Sequence, residues 1–373
     1  MTLRVAFVIG LASGGTASHV QALAAGCHDA GLSVTAFGPQ QAAALFDAGI
    51  PFTEVRIGDR PRPVSDADAI RRLRTALRST RPDVVHAHGV RAGAFAGLAI
   101  ASIGPAAKPA LIVSVHNAPP AGRVARLVYG VLERICARRT DAALCASEDL
   151  RERMVRLGAL SAERFDVPAE LAPPPTAEQM QAARSDIAAA GRPVVLAVGR
   201  LAAQKGFDVL VDAAARWQGR TPPPVTVIAG DGPLAADLAR RARIAGADVR
   251  FLGLRRDVPA LLAIADVVVV PSRWEARALV VQEAMQAGRP IVATDVGGIP
   301  SLTGTDAALL IPAEDGAALA AAVANVLDDP ATASRLSEAA RVRTATFPTQ
   351  QDAVAAAEAI YARLAGARLR GRR

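Results

Sequence analysis

Short apolar runs rich in β-branched residues alternate with Ala-, Leu- and Arg-rich segments of helical period, and this happens twice along the chain. In the first half the runs are Arg4–Ile9, Ser33–Phe37, Asp83–His86, Ala110–Val115 and Ala142–Cys145. In the second they are Val194–Val198, Val225–Ala229, Val249–Leu252, Asp266–Val270, Pro290–Ala293 and Ala308–Ile311. Strands that stay apolar at successive positions, instead of alternating, are buried on both faces, as in parallel sheets covered by helices. The pattern therefore predicts an α/β fold with two Rossmann-like, doubly wound domains. Between the two sets, Val167-Pro168-Ala169-Glu170-Leu171-Ala172-Pro173-Pro174-Pro175 suits neither helix nor ladder and reads as a stiff hinge. The expected organisation is a first domain over 1–167, a Pro-rich linker over 168–190 and a second domain over 191–345. A C-terminal helix with a basic tail follows over 346–373, free to cross back to the first domain. Folds of this kind take ligands at the C-terminal ends of their strands, here expected in a cleft between the domains.

Composition narrows the class. The chain has 373 residues, 51% hydrophobic and 21% charged, which suits two globular domains with separate cores. No apolar run approaches the ~20 residues needed to span a bilayer. The apolar stretch Val5–Ala12 runs into Gly14-Gly15 and reads as a first strand, not a signal segment. Cys27, Cys136 and Cys145 have no metal spacing and are expected as reduced thiols in a cytoplasmic protein. A net charge of +8 favours anionic partners, while 3% aromatics offer few stacking platforms for nucleic acid, which is not expected as a partner. Cations are almost all arginine: 41, against two lysines, Lys108 and Lys205. The five histidines (His19, His28, His86, His88, His116) all fall in the first third, so chemistry in the second domain must work without imidazole.

Three matches read more simply than they look. Ser65-Asp66-Ala67-Asp68 contains an Asp-x-Asp pair, but Ser65 sits like an N-cap and acids suit a first helical turn. Gly230-Asp231-Gly232-Pro233-Leu234-Ala235 fits the dinucleotide fingerprint, yet a tight strand-to-helix turn wants such glycines whatever binds. Gly199 to Gly206 lacks Walker spacing, which excludes a P-loop.

Two segments carry more. Gly199-Arg200-Leu201-Ala202-Ala203-Gln204-Lys205-Gly206 joins a buried strand to a helix, where backbone N–H groups face an anion. Arg200 can fork onto two phosphate oxygens, and Lys205 is a compact charge that can follow a departing phosphate. Downstream, Glu275 leaves the strand Asp266–Val270, and Glu283 lies in the next helix among Val280, Val281, Ala284 and Met285. A carboxylate on so apolar a helix needs hydrogen-bond donors, which ribose hydroxyls would supply.

Glu-x₇-Glu after Gly-Arg-x₄-Lys-Gly resembles the retaining GT-B glycosyltransferases of the large family 4 group. The resemblance extends to Gly14-Gly15 with His19-Val20, His86-Ala87-His88-Gly89, Ser114-Val115-His116-Asn117, Ala146-Ser147-Glu148, Gly230-Asp231-Gly232-Pro233 and Gly297-Gly298-Ile299-Pro300. It implies a nucleotide-sugar donor in the second domain, with Arg200 and Lys205 neutralising the pyrophosphate in place of a metal. By the same resemblance Glu283 holds the ribose and Glu275 the transferred sugar. Gly14 and Gly15 let backbone approach the phosphates, and Gly230 and Gly232 line the donor. His116 lies by the donor sugar and the acceptor. No metal and no cofactor beyond the donor are implied.

The chain departs from the family where Ala276, Arg277 and Ala278 occupy the loop after Glu275 that usually holds glycines, which implies a less close backbone approach to the donor and an action of Arg277 on phosphate or sugar; Arg277, Ala278 and Leu279 are expected at the donor. Ser301 replaces a common Glu, and Phe165–Glu170 an Asn-Gly-Val-Asp segment. The helices Asp66–Ser79 and Val124–Arg139 are basic and amphipathic; their apolar stripes read first as sheet-packing faces, and peripheral contact with an anionic membrane is the second reading. The resulting expectation is a metal-independent, retaining hexosyltransferase acting on an unidentified acceptor. The alternatives are an NAD-dependent oxidoreductase using Gly230–Ala235 with Asp248 at the ribose, and a catalytically silent relative that binds sugar nucleotides.

Overall fold

A computed structural model describes residues 2–370 apart from 11–14, 47–48, 59, 105–107, 118–122 and 170–172. It divides into one unit of Met1–Pro168 with Pro348–Arg373, and a second of Ala169–Phe347.

The first unit is built on a parallel sheet in the order β3-β2-β1-β4-β5-β6-β7. Its strands are β1 (Arg4–Ile9), β2 (Ser33–Gly38), β3 (Phe52–Glu54), β4 (Val84–His88), β5 (Ala110–Val115), β6 (Ala142–Cys145) and β7 (Ala162–Arg164). The central strands are buried on both faces, as their continuous apolar runs require. Helix α1 (Gly15–Asp29) packs Val20, Leu23 and Ala24 into a core shared with Ala353, Ala357 and Tyr361 of the last helix, α14 (Gln350–Arg370). The C-terminal helix thus belongs to the first unit.

The second unit repeats the plan in the order β10-β9-β8-β11-β12-β13. The strands are β8 (Val194–Val198), β9 (Val225–Ala229), β10 (Val249–Gly253), β11 (Val267–Val270), β12 (Ile291–Thr294) and β13 (Leu309–Ile311). In both sheets the strand order reverses beside the first strand, at β1/β4 and at β8/β11. A crevice opens at such a switch point, outside the carboxyl ends of the two strands.

Three details differ from the sequence reading. The edge strands β3 and β7 are additional; each has only three residues, and their Thr53, Glu54, Glu163 and Arg164 carry no apolar signature. The segment expected as linker over 168–190 contains helix α6 (Ala177–Asp186), closed by a capping box between Thr176 and Gln179. Helix α2 (Pro63–Thr80) starts before Ser65, with Arg62 at its N-cap and Pro63 in its first turn. Asp66 then accepts the Arg62 backbone N–H at 3.0 Å and pairs with Arg91 at 2.5 Å, while Asp68 engages Arg71 and Arg72. Both acids of the Asp-x-Asp are thus used within the fold.

Candidate active site

The switch point of the second unit collects the residues singled out by spacing. Arg200 is exposed, two residues beyond the end of β8. Past a short 3-10 turn, Ala203–Lys205, the ammonium of Lys205 meets Glu275 at 2.6 Å. Glu275 is buried, and its Oε1 also accepts the Ser272 hydroxyl at 2.8 Å. An ammonium has three donors, so two remain after this contact, and among the described residues no donor meets the second oxygen of Glu275.

Backbone contacts fix the two loops against each other. The Arg273 N–H donates to the Gln204 carbonyl at 2.8 Å, and the Gln204 amide donates back to the Trp274 carbonyl at 2.8 Å. The Arg273 guanidinium adds a bond to the Ala203 carbonyl at 2.7 Å and a two-pronged pair with Asp208, which it holds below the usual carboxylate range. Gly206 has φ +64°, and a Cβ there would lie 2.0 Å from the Pro271 carbonyl. At Gly297, with φ +53°, a Cβ would lie 1.9 Å from the Glu275 carbonyl, which accepts the Gly298 N–H at 2.8 Å. Thr294 at the end of β12 donates to the Ser272 carbonyl at 2.5 Å. Ser272, Arg273 and Thr294 escaped the sequence reading, which named Gly297 only within a family motif and gave it no role. Its signal was the Gly-Gly pair before helix α11 (Ile299–Thr303); the others act across strands.

Helix α10 (Leu279–Gln286) follows β11 with Ala278 at its N-cap. Glu283 on this helix is half-buried, and burial pushes its carboxyl pKa up. Ala276 and Ala278 are buried, and the Arg277 guanidinium reaches Gln282 at 3.3 Å and stacks over the Phe347 ring at 5.7 Å. Gly230 and Gly232 have a packing reason of their own: a Cβ would lie 1.9 Å from the Gly199 carbonyl at one and 2.6 Å from the Leu201 carbonyl at the other. Asp248, the ribose ligand of the oxidoreductase alternative, is engaged by Arg192 at 2.6 Å and Arg250 at 3.7 Å.

The switch point of the first unit is lined by imidazoles. His88 ends β4, His116 follows β5, and His19 lies in α1. The His19 and His116 ring centroids are 5.7 Å apart, and His88 stacks parallel to His116 at 5.9 Å. Burial pushes His19 down to about 3 and His116 down to about 4, so both rings are neutral at pH 7. His86 is tied into the fold by Tyr361 at 2.7 Å and Ser114 at 2.8 Å. Gly15 opens α1; Gly14 lies outside the described residues.

Two matches to family models follow the two units. The glycosyl transferase 4-like domain matches residues 14–169, and glycosyl transferases group 1 matches residues 192–329. Glycogen synthase of Mycobacterium tuberculosis is 36% identical over 310 residues, covering 78% of this chain and 71% of that protein. The chain belongs to the group 1 glycosyltransferases. Alpha-D-kanosaminyltransferase of Streptomyces kanamyceticus is 34% identical over 221 residues, 55% of this chain and 56% of that one. Among solved structures, Anabaena HepE in complex with UDP and glucose superposes with TM-score 0.81 at 19% identity, covering 96% of this chain and 99% of HepE. Sucrose-phosphate synthase from Thermosynechococcus elongatus gives TM-score 0.79 at 21% identity, covering 98% and 100%. These similarities give the glycosyltransferase the GT-B fold expected from its motifs.

Proposed function

We propose that this glycosyltransferase moves a hexose-type sugar from a nucleoside-diphosphate sugar to a hydroxyl acceptor, with retention at the anomeric carbon and no metal at the pyrophosphate. The observation that supports this reading is the Lys205–Glu275 contact at 2.6 Å beyond the carboxyl ends of β8 and β11, with Arg200 in the first of these loops and Glu283 in the helix after the second. Departure of the nucleoside diphosphate is the costly event, and preorganised positive charge lowers it. Arg200 and Lys205 supply that charge, and the N-terminus of α10, through Ala278 and Leu279 beside Arg277, adds backbone N–H groups. Glu283 accepts ribose hydroxyls and the free oxygen of Glu275 accepts a hydroxyl of the sugar. Gly230 and Gly232 keep the donor loop close-packed.

In the transfer step the bond between the anomeric carbon and the β-phosphate oxygen breaks. The acceptor oxygen bonds to the same face of that carbon, and its proton passes to the departing phosphate. This route needs no protein nucleophile. His116, as a neutral imidazole, accepts a hydrogen bond from a sugar hydroxyl.

Relatives that bind UDP or UDP-glucose support a uridine donor as the first to try. A thermal-shift panel of UDP- and GDP-sugars, followed by mass spectrometry of products from cell extract, tests the donor and acceptor. Anomeric NMR of the product tests retention; an inverted product overturns the mechanism. Transfer undiminished by EDTA supports the metal-free pyrophosphate site, and abolition by EDTA with recovery on Mg²⁺ refutes it.

The same reading places the protein in the cytoplasm, touching the anionic inner face of the membrane through helix α4 (Arg123–Arg139). That helix leaves Leu127 71% and Val131 55% exposed, one turn apart, beside Arg126 and Arg134. An apolar stripe packed wholly on the sheet would bury them. Among the described residues no helix is long and apolar enough to cross a membrane. Co-sedimentation with phosphatidylglycerol vesicles, lost in Leu127→Glu, checks the contact.

A further inference from the structure

The amino ends of the second sheet carry guanidinium groups that the transfer chemistry does not use. Arg289 stands half-buried just before β12 and donates to the Ala265 carbonyl, just before β11, at 3.2 Å. Its Nε is buried with no hydrogen-bond partner among the described residues. Arg341, on helix α13 (Pro330–Thr344), lies against the adjoining backbone: a Cβ on Gly288 would be 2.5 Å from the Arg341 Nε. Arg184 comes from α6 and is exposed. Ala183 and Ala340, the chain neighbours of Arg184 and Arg341, share one buried core with Met285 and Ile291, which brings α6 and α13 to the corner where Arg289 stands. Burial lowers the Arg289 pKa, and the charges of Arg341 and Arg184 lower it further.

The acids around this corner are few and partly engaged. Asp266, at the start of β11, favours the charge on Arg289, but one of its oxygens holds the Val194 N–H at 2.7 Å. Glu338 reaches Arg341 at 3.4 Å with both side chains largely exposed, and Asp186 of α6 is engaged by Arg255. Among the described residues no carboxylate forms an ion pair with Arg289 or Arg184. A guanidinium keeps its proton at any ordinary pH, so deprotonation does not relieve the crowding of like charges. A bound anion does.

We propose that Arg184, Arg289 and Arg341 form a binding site for a phosphate dianion at the amino ends of β11 and β12. Guanidinium forks match phosphate oxygens two at a time, and a dianion offers lone pairs enough for three of them. The unpartnered Nε of Arg289 gains an acceptor there. Lys205 and Glu275 lie beyond the opposite, carboxyl ends of the strands, so this site is separate from the pyrophosphate position proposed above. The same chemistry suits free phosphate and the phosphomonoester of a small metabolite.

Calorimetric titration of the full-length chain with orthophosphate and with glycerol phosphate, in chloride-poor buffer, tests the site. The expected result is one phosphate per chain retained in Arg200→Gln, which disables the donor position, and weakened by added salt. Arg184→Gln and Arg289→Gln are each expected to weaken it by ~10-fold or more. Circular dichroism on every variant separates loss of the site from loss of the fold, and Arg184→Gln, at an exposed position, keeps the test open where Arg289→Gln fails to fold. Equal affinity for the two probes supports a site for the phosphate group alone, and tighter glycerol phosphate supports a phosphomonoester. No binding by natively folded protein overturns the proposal, as does full affinity in both variants. Binding lost in Arg200→Gln also overturns it, by assigning the phosphate to the donor position.

Discussion

Lys205 and Glu275, 70 positions apart in the chain, meet at 2.6 Å with their side chains 22% and 7% exposed. The pair ties the loop after β8 to the loop after β11 at the point where the strand order reverses. One of the chain's two lysines is therefore spent on a contact that a guanidinium, longer and planar, would make differently.

Lys205→Ala leaves a buried carboxylate with, among the described residues, only the Ser272 hydroxyl. It is expected to destabilise the second unit by ~3 kcal/mol, the scale for breaking a buried pair, and to lower kcat by ~10²–10³-fold. Urea denaturation and initial rates of transfer measure the two effects. Lys205→Arg should recover more of the stability than of the rate. Wild-type transfer and donor hydrolysis in Lys205→Ala would mean that the site is elsewhere.

Gly297→Ala tests how Glu275 is positioned. The new methyl would lie 1.9 Å from the Glu275 carbonyl on a backbone at φ +53°. The expected outcome is a stability loss of ~1–3 kcal/mol and a fall in kcat, with the Glu275 loop displaced. Gly191→Ala serves as the control, because φ is also positive there but nothing lies within 4 Å of the added methyl. It should lose stability without affecting turnover in protein that remains folded.

Asp208 contributes through Arg273. Its folded carboxyl titrates below the usual range, so its stabilisation is present above the unfolded pKa of about 3.9 and disappears as pH falls through the depressed folded value. Asp208→Asn is expected to cost ~1–2 kcal/mol at pH 7 and to flatten the acid limb of stability below about pH 4. Urea midpoints measured across pH 2.5–7 would reveal it; parallel curves for the two proteins would refute it.

Glu283 has the opposite sign. Burial raises its carboxyl pKa, so its contribution to folding is most favourable below the unfolded value and is lost as pH rises through the folded one. The fold carries this carboxylate at neutral pH at some cost. Glu283→Gln is accordingly expected to raise the melting temperature slightly at pH 7 while weakening donor binding by ~10-fold. In the wild type, donor affinity should begin to fall on acidification above the ordinary glutamate range of about 4.3, and the Gln variant should lack that dependence. Calorimetric titration with UDP-glucose at several pH values decides.

The central strands were readable because burial on both faces demands unbroken apolar runs, and β1, β5, β6, β8 and β9 have the predicted limits. The edge strands β3 and β7 were not readable. A strand paired on one side with three residues needs no such run, and Phe52-Thr53-Glu54 and Ala162-Glu163-Arg164 have none. Helix α6 did announce itself through Thr176 and Gln179, a capping box masked by the prolines before it.

For the candidate site, spacing singled out Arg200, Lys205, Glu275 and Glu283, each a fixed distance beyond a strand or inside the next helix, and the family resemblance added His116. That is a property of one βα unit at a time, and a chain carries it in its order of residues. The Lys205–Glu275 contact, the Arg273 clamp, the close approach of Gly297 to Glu275 and the meeting of His19, His88 and His116 join different βα units. They depend on which strands lie adjacent and in what register, and only packing of the parallel sheets decides that.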